Sequence, residues 1–464
     1  MTTLPLSNIR VLDLSRVFAM PYAGAYMADL GAEVIKVDSC QAQFMDTTRT
    51  LNGPYPGNDP GENYWDRAGT FQTLNRGKHS VTLDLRSDAA LEILKQLVSV
   101  SDIVLENFTP RVMRRFGLDY ANLKAVKPDL IMVSNTGYGH GGPWTNFGAM
   151  ATALEPTHGT GAFMGYLDAG TDTSAYEGGF GGSVPNKIGN SYSDFLASWT
   201  AQMAVMACLI HRARTGQGMW IDLAMYQVGI SFLGEGLLDY AFNGRSTRRL
   251  GNRHQSMSPH GCYPCLGDDQ WVALAVRDDV EWQAFCRALG QPDMAADPRF
   301  SQPLQRWRNQ DALDANISRW TETRTSYQVM QTLQAGGVPA GPVLNARQLL
   351  TDTHWRERGY FETVEHPPAT RLGRREYVSR GWHLSGADVH IRSGAPQLGD
   401  SNGFVLQGLL GLDGDEIQGL EDDGVIGSQP IGGSPAGAVP LRRQAELGWI
   451  VDFDAGSGGE PPAR

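Results

Sequence analysis

Cysteine is scarce in this chain of 464 residues: Cys40, Cys208, Cys262, Cys265 and Cys286. An odd, scattered set makes no disulfide framework and reads as reduced thiols in a cytoplasmic protein. Cys262-Tyr263-Pro264-Cys265 is a single C-x-x-C without a second pair, so two ordinary thiols in a strand are expected rather than a metal site. Positive charge is also short. The 39 Lys and Arg face 50 Asp and Glu, and a formal charge of −11 argues against general nucleic-acid binding. Long hydrophobic runs are missing, so no segment is expected to cross a bilayer. Residues 1–6 show neither a basic n-region nor an apolar core, so no signal peptide is expected. Several catalytic motifs are missing too: there is no P-loop, G-x-S-x-G elbow or H-E-x-x-H.

What is abundant is glycine, 55 residues spread along the chain, which suggests many tight loops. The length suits two or three domains with substantial cores. Buried strands are expected at 9–14, 33–37, 79–85, 103–105 and 130–133, with helical patterns between them, and a further strand at 219–223. Strand, helix and strand in about thirty residues make a βαβ unit, so the fold class is α/β with a parallel sheet. Asp38 closes the second strand where a dinucleotide fold places its ribose-binding acid. The loop Ser15-Arg16-Val17-Phe18-Ala19-Met20 has no G-x-G-x-x-G, which excludes NAD. Residues 41–69 read as a long surface excursion. Residues 159–190, with Phe163, Tyr166, Tyr176 and Phe180, read as a lid or a folded surface loop. The domain expectation is a large domain over 1–225, a smaller α+β domain over 226–330, and a return segment over 331–427. Within the return, residues 337–343 are read as a rigid crossing. Residues 428–464 form a tail or an arm on a partner subunit.

The stretch that invites chemistry is Gly189-Asn190-Ser191-Tyr192-Ser193-Asp194-Phe195-Leu196. Asp194 precedes an apolar run ending at His211-Arg212-Ala213-Arg214, the pattern of a helix start and stop. Unpaired N–H groups and the helix dipole there favour a carboxylate, and Asp is also an ordinary cap.

Several separated motifs agree on more. Val11-Leu12-Asp13-Leu14-Ser15 with residues 30–37, Asn75-Arg76-Gly77-Lys78 with residues 79–85, and Glu106-Asn107-Phe108-Thr109-Pro110 with Gly117-Leu118 form the first part of the series. Residues 137–144, Arg214-Thr215-Gly216-Gln217-Gly218, residues 337–343, and Arg358-Gly359 with His366-Pro367 complete it. Over roughly residues 6–427 the chain resembles the family III CoA-transferases, the formyl-CoA transferase, carnitine CoA-transferase and bile-acid-inducible group. The resemblance implies a Rossmann-like large domain made from both chain ends, a small domain between them, and an interlocked homodimer. It implies transfer of CoA from an acyl-CoA to a carboxylic acid, with no tightly bound cofactor, no metal, no nucleic acid and no membrane.

By the same resemblance Asp194 is the nucleophile, forming first a mixed anhydride and then an aspartyl-CoA thioester. The helix N-terminus is expected to keep it ionised. CoA-contacting positions fall on Arg16, Val17, Phe18 and Ala19, on Leu83, Asp84, Leu85 and Arg86, and on Asn107, Phe108 and Thr109. They also include Arg115 and Gly148, Ala149, Met150 and Ala151. Arg86 and Arg115 are the phosphate candidates. The chain departs from the family pattern at Ser39, where a basic residue is common, and at Phe18, where a polar one is. Two alternatives stay open: a racemase-like isomerase and a non-catalytic subunit of a heteromeric transferase. A racemase needs two acid–base groups. Residues 148–153 supply none, and His140 and His158 do not match its histidine. The stretch Asn252-Arg253-His254-Gln255-Ser256-Met257-Ser258-Pro259-His260 replaces the glycine run of the formyl-CoA and oxalate enzymes. A succinyl-CoA type using an aromatic or medium-sized acid is preferred, with Arg253, His254 and His260 available to an acceptor carboxylate.

Overall fold

The computed structural model describes residues 3–50, 53–165, 188–189, 191–246, 249–433 and 439–450. Most of the glycine-rich segment read as a lid or loop, 166–187 and residue 190, lies outside them, as do tail residues 434–438 and 451–464. The chain divides into two compact units, one of residues 1–158, 189–233 and 357–464, the other of residues 159–188 and 234–356.

The first unit is built on six parallel strands: β1 (Arg10–Asp13), β2 (Glu33–Asp38), β3 (His79–Thr82), β4 (Ile103–Glu106), β5 (Ile131–Thr136) and β6 (Met219–Ala224). Their order is β3-β2-β1-β4-β5-β6, that of the doubly wound α/β fold, with its switch point between β1 and β4. The inner strands read as near-continuous apolar runs because both faces are covered. On one face the helices Ala19–Asp29 and Tyr192–Thr215 set Ala23, Met27, Ala197, Ala201 and Val205 against Val11, Ile103, Ile131 and Val133. On the other, the Asp88–Ser99 helix and the C-terminal return cover Leu12, Ile35, Val81, Val104 and Met132, the return supplying Val405, Leu406, Val425 and Ile426.

Three local readings change. First, the Tyr192–Thr215 helix is, among the described residues, the one element long and apolar enough to cross a membrane by length and composition. The apolar run seen in sequence is shorter than the helix that contains it. The seam it buries holds Ser193, Ser198 and Gln202 beside Ala197, Ala201 and Val205, the mixture of a helix packed on a sheet. Second, the 41–69 excursion is not a surface one. Asp46, Thr48, Arg49, Asp66 and Ala68 are buried, and Arg49 bridges Asp38 at 2.8 Å and Asp66 at 2.8 Å. Charge in a sequence suggests solvent, whereas here Arg49 meets two carboxylates inside and Asp46 meets Lys36. Third, the sequence pattern fits Pro21 to the first position of a helix running to about Leu30, whereas it is the third residue of the Ala19–Asp29 helix, a place where its missing N–H still costs no intrahelical bond.

The second unit carries an antiparallel sheet in the order β7-β8-β9: β7 (His260–Pro264), β8 (Trp271–Ala275) and β9 (Ala340–Val343). The residues read as a rigid crossing thus end in an edge strand. Trp282, Phe285, Phe300, Leu313, Ile317, Val329 and Leu333 form its core. Cys262 lies in β7 and Cys265 just beyond it, both free thiols.

Candidate active site

At the C-terminal end of β1 the chain must turn away from the sheet, and four buried charges fix how it does so. Asp13 bonds Lys78 at 2.7 Å, and Asp46 bonds Lys36 at 2.9 Å, all four side chains sealed from solvent. Two cations and two anions cancel, which is the condition for burying them at all. Burial raises Asp13, but Lys78 and Lys36 outweigh it and hold the carboxyl below its ordinary value. Burial pushes Lys78 down to about 8 against the pull of Asp13. The quartet grips the following loop. Lys36 donates to the Ser15 carbonyl at 2.9 Å, Asp13 accepts from the Ser15 N–H at 3.0 Å, and Asp46 accepts from the Val17 N–H at 3.3 Å. Asn107, after β4, closes the far side: it accepts from the Arg16 N–H at 2.8 Å and donates to the Arg16 carbonyl at 2.6 Å.

This loop separates two cavities. The first, of about 280 Å³, is lined by Arg16, Leu83, Asp84, Leu85, Arg86, Phe108 and Arg115 together with Ser39 and Phe44. Arg86 lies over the Phe44 ring at 4.7 Å and is paired with Asp84 at 2.6 Å, while Arg16 lies over Phe108 at 5.4 Å. The second, of about 340 Å³, is lined by Val17, Phe18, Asn107, Phe108, Thr109, Ala149, Met150 and Ala151, and it reaches Ser191 and Asp194. Phe108 belongs to both linings. Of the expected CoA positions, Ala19 and Gly148 line neither. Ala19 is buried in the first turn of its helix, and Gly148 faces solvent.

Backbone strain marks the second cavity. Val17 has φ 68° and Ser191 φ 58°, in the left-handed region that L-residues, above all a β-branched valine, adopt at a cost. Both line it. Ser191 occupies the N-cap of the Tyr192–Thr215 helix, which puts Asp194 at the third helical position, not at the cap itself. The Tyr192 N–H is capped instead by Glu155 at 3.0 Å, from the Ala151–Thr157 helix. Burial pushes the Asp194 carboxyl up to about 7; the Ser191 side chain opposes this and the charge of Glu155 adds to it. Burial and the Glu155 charge thus work against the ionised form that the helix end is expected to favour. A similar case lies at the end of β4. Burial pushes Glu106 up to about 7 against bonds from Ser134 and the Phe108 N–H, with Asp222 adding to the rise.

Among the residues not foreseen as contacts are Glu155, Thr136, Phe147 and Phe44, while Ser191 and Tyr138 fall in stretches already singled out, without a role of their own. Glu155 stands two positions beyond the 148–153 stretch searched for acid–base groups, and an isolated Glu in a helix gives no signal of burial. The histidines are elsewhere. His140 packs on Trp220 at 5.0 Å with its N–H on Asp222 at 3.0 Å, and His158 is buried against Gly229. Neither lines the cavity that holds Asp194. In the second unit Arg253 is neutralised by Asp311 at 2.5 Å and Asp314 at 2.8 Å. His260 Nδ1 donates to the Asn252 carbonyl at 2.7 Å. His254 Nδ1 accepts from the Ser256 and Met257 N–H groups, each at 3.1 Å. All three residues thus shape the loop between residues 252 and 260.

Comparison with known proteins gives the family. Residues 6–402 match the model of CoA-transferase family III. The chain is 31% identical to the succinyl-CoA–D-citramalate CoA-transferase of Chloroflexus aurantiacus over 426 residues, 91% of this chain and 98% of the relative. It is 30% identical to the succinate–glutarate CoA-transferase of Agrobacterium fabrum over 406 residues, 87% of this chain and 96% of the relative. Among solved structures, a CAIB/BAIF family protein from Brucella suis superposes with a TM-score of 0.75 at 30% identity, covering 88% of this chain and 100% of the other. A doubly wound sheet, a strapped loop after β1 and a match across nearly the whole chain lead to one conclusion: this chain belongs to CoA-transferase family III and is a CoA-transferase.

Proposed function

We propose that this CoA-transferase moves CoA from succinyl-CoA to a second carboxylic acid of aromatic or medium size, with Asp194 as the nucleophile. The observation that carries the reading is the place of Asp194, in the first turn of a long helix and opening into a cavity walled by the post-β1 and post-β4 loops. In its ionised form the carboxylate attacks the thioester carbonyl; an acyl–oxygen bond forms, the carbon–sulfur bond breaks, and CoA leaves as thiolate. The thiolate then attacks the aspartyl carbonyl of the anhydride and expels the donor as its carboxylate. The acceptor carboxylate repeats both exchanges in reverse. Glu155 takes the Tyr192 N–H and the Ser191 carbonyl takes those of Asp194 and Phe195, so among the described residues the Ser193 N–H is the helix-end donor left for a tetrahedral oxyanion.

Arg16, Arg86 and Arg115 make the 280 Å³ cavity the reading's place for the nucleotide end of CoA. The pantetheine arm runs past Phe108 toward Asp194. The donor assignment rests on the names of the relatives, and the acceptor size on the aromatic lining by Phe18, Phe108, Tyr138 and Phe147. A homodimer is part of the reading: on the Gly234–Asn243 helix Leu237, Leu238, Tyr240 and Phe242 are all more than half exposed, an apolar face of the kind a partner subunit covers. Sedimentation at micromolar concentration tests it, and a monomer would refute it. For the nucleophile, incubation with succinyl-CoA and hydroxylamine followed by peptide mass spectrometry is expected to show the hydroxamate at Asp194. An unmodified Asp194, or full turnover by Asp194→Ala, refutes the assignment.

A further inference from the structure

We propose that Glu155 is a positioning residue for Asp194: it fixes the first turn of the Tyr192–Thr215 helix and, by its charge, favours the uncharged covalent states of Asp194 over the free carboxylate. The inference rests on the reading of Asp194 as nucleophile and goes beyond it.

Glu155 is only 1% exposed. Its Oε1 holds the Tyr192 N–H at 3.0 Å, and its Oε2 is buried with no hydrogen-bond partner among the described residues. An unsatisfied carboxylate oxygen inside a protein is costly, and it is retained only where something offsets the cost. A neutral residue could cap this helix as well. Serine or asparagine at the cap needs no buried charge. The charge itself is therefore what calls for an explanation.

The titratable groups around it belong to three elements. Among the described residues, Asp194 and Tyr192 come from the long helix and His158 from the end of its own helix, while Tyr226 of the Met225–Ser231 helix, which packs on the Ala151–Thr157 helix, turns to Tyr138 and Trp144. Burial keeps His158 below its ordinary value, so above neutral pH it brings no positive charge to balance the pair. Two carboxylates thus share one helix end, and like charges so placed disfavour each other.

Group transfer relieves that repulsion. When Asp194 Oδ bonds to the acyl carbon and the carbon–sulfur bond breaks, the negative charge moves from Asp194 to the CoA sulfur. When the thiolate then bonds to Asp194 Cγ, the charge leaves again on the donor carboxylate. Both covalent states of Asp194 are neutral, and both are spared the repulsion from Glu155 that the free carboxylate feels. The burial that raises the Asp194 carboxyl acts in the same direction.

The test uses the full-length enzyme, Glu155→Gln and Glu155→Asp. Glutamine keeps an acceptor for the Tyr192 N–H and removes the charge; aspartate keeps the charge and shortens the reach. For Glu155→Gln the acid limb of the kcat/KM pH profile is expected to fall by about one unit. The fraction of enzyme trapped as the Asp194–CoA thioester under succinyl-CoA is expected to drop severalfold, with KM for succinyl-CoA within about threefold of the wild type. For Glu155→Asp the acid limb stays at the wild-type pH while kcat falls. Wild-type labelling at Asp194 with an unshifted acid limb and an unchanged trapped fraction in Glu155→Gln would overturn the role of Glu155 and leave the nucleophile intact. A Glu155→Asp limb shifted like that of the Gln variant would also overturn it. Absence of label at Asp194 in the wild type would remove the nucleophile, and this proposal with it.

Discussion

Replacing Asp194 by asparagine should abolish transfer and at the same time make the protein more stable at alkaline pH. In the folded chain the carboxyl sits at about 7 against an ordinary 3.8. Between those values the native state holds a proton that the unfolded chain has lost, so wild-type stability falls as pH rises through the window, and the penalty is complete above 7. At about 1.4 kcal/mol per unit, the full shift corresponds to about 4 kcal/mol, and partial exposure of the carboxyl reduces this to roughly 2 kcal/mol. Asparagine has the same shape and no titration. Groups remote from Asp194 titrate alike in both proteins and drop out of the difference, while relief of the Glu155 repulsion acts in the same direction as loss of the buried charge. Urea unfolding at pH 5.5 and pH 8.5 should therefore show the Asn variant gaining on the wild type by about 1–2 kcal/mol between the two values. On the proposed role of Asp194, such a destabilising carboxyl is the expected trade between stability and activity. A stability difference equal at both pH values, or an Asn variant weaker at pH 8.5, would refute the placement of a desolvated carboxyl here. In the wild type the acid limb of kcat/KM should fall near pH 7, with activity rising about tenfold from pH 6 to pH 8.

Three further outcomes follow from the same geometry. Arg16→Ala or Arg115→Ala should raise KM for the acyl-CoA by roughly tenfold with kcat within about twofold, because a cation–phosphate contact is lost from the nucleotide cavity; an unchanged KM in steady-state assays would refute that placement. Lys78→Met should cost about 3–5 kcal/mol in urea unfolding, since it leaves Asp13 buried without its partner at 2.7 Å. Gly218→Ala should lower thermal stability far more than Gly216→Asn. A Cβ at 218 would stand 2.1 Å from the Leu130 carbonyl, whereas Gly216 has open space and a left-handed φ of 72° that asparagine tolerates.

Much of the large unit was legible because parallel strands covered on both faces leave compact apolar runs. Val11-Leu12, Val34-Ile35, Ile103-Val104-Leu105 and Ile131-Met132-Val133 all fall in strands of one sheet. The post-β1 and post-β4 loops were legible as well, since the order of strands alone brings their C-terminal ends together at a switch point. The interior of the 41–69 segment was not. Asp46, Arg49 and Asp66 carry the marks of surface residues, and only their ion-pair partners, up to 17 positions away along the chain, turn them inward. The family resemblance puts Ala19 with the loop, yet the helix begins there and buries it.

Asp194 shows the division most clearly. Sequence alone determined that a carboxylate stands at the start of a long helix, between a series of motifs and the Arg-Thr-Gly-Gln-Gly turn, because local patterning and residue order are properties of the chain. Tertiary structure alone decided which residue caps that helix, how deeply the carboxyl is buried, and that Glu155, 39 positions earlier, stands beside it. Charge state depends on solvent access and on neighbours brought together through space, and neither is written in the order of residues along one segment.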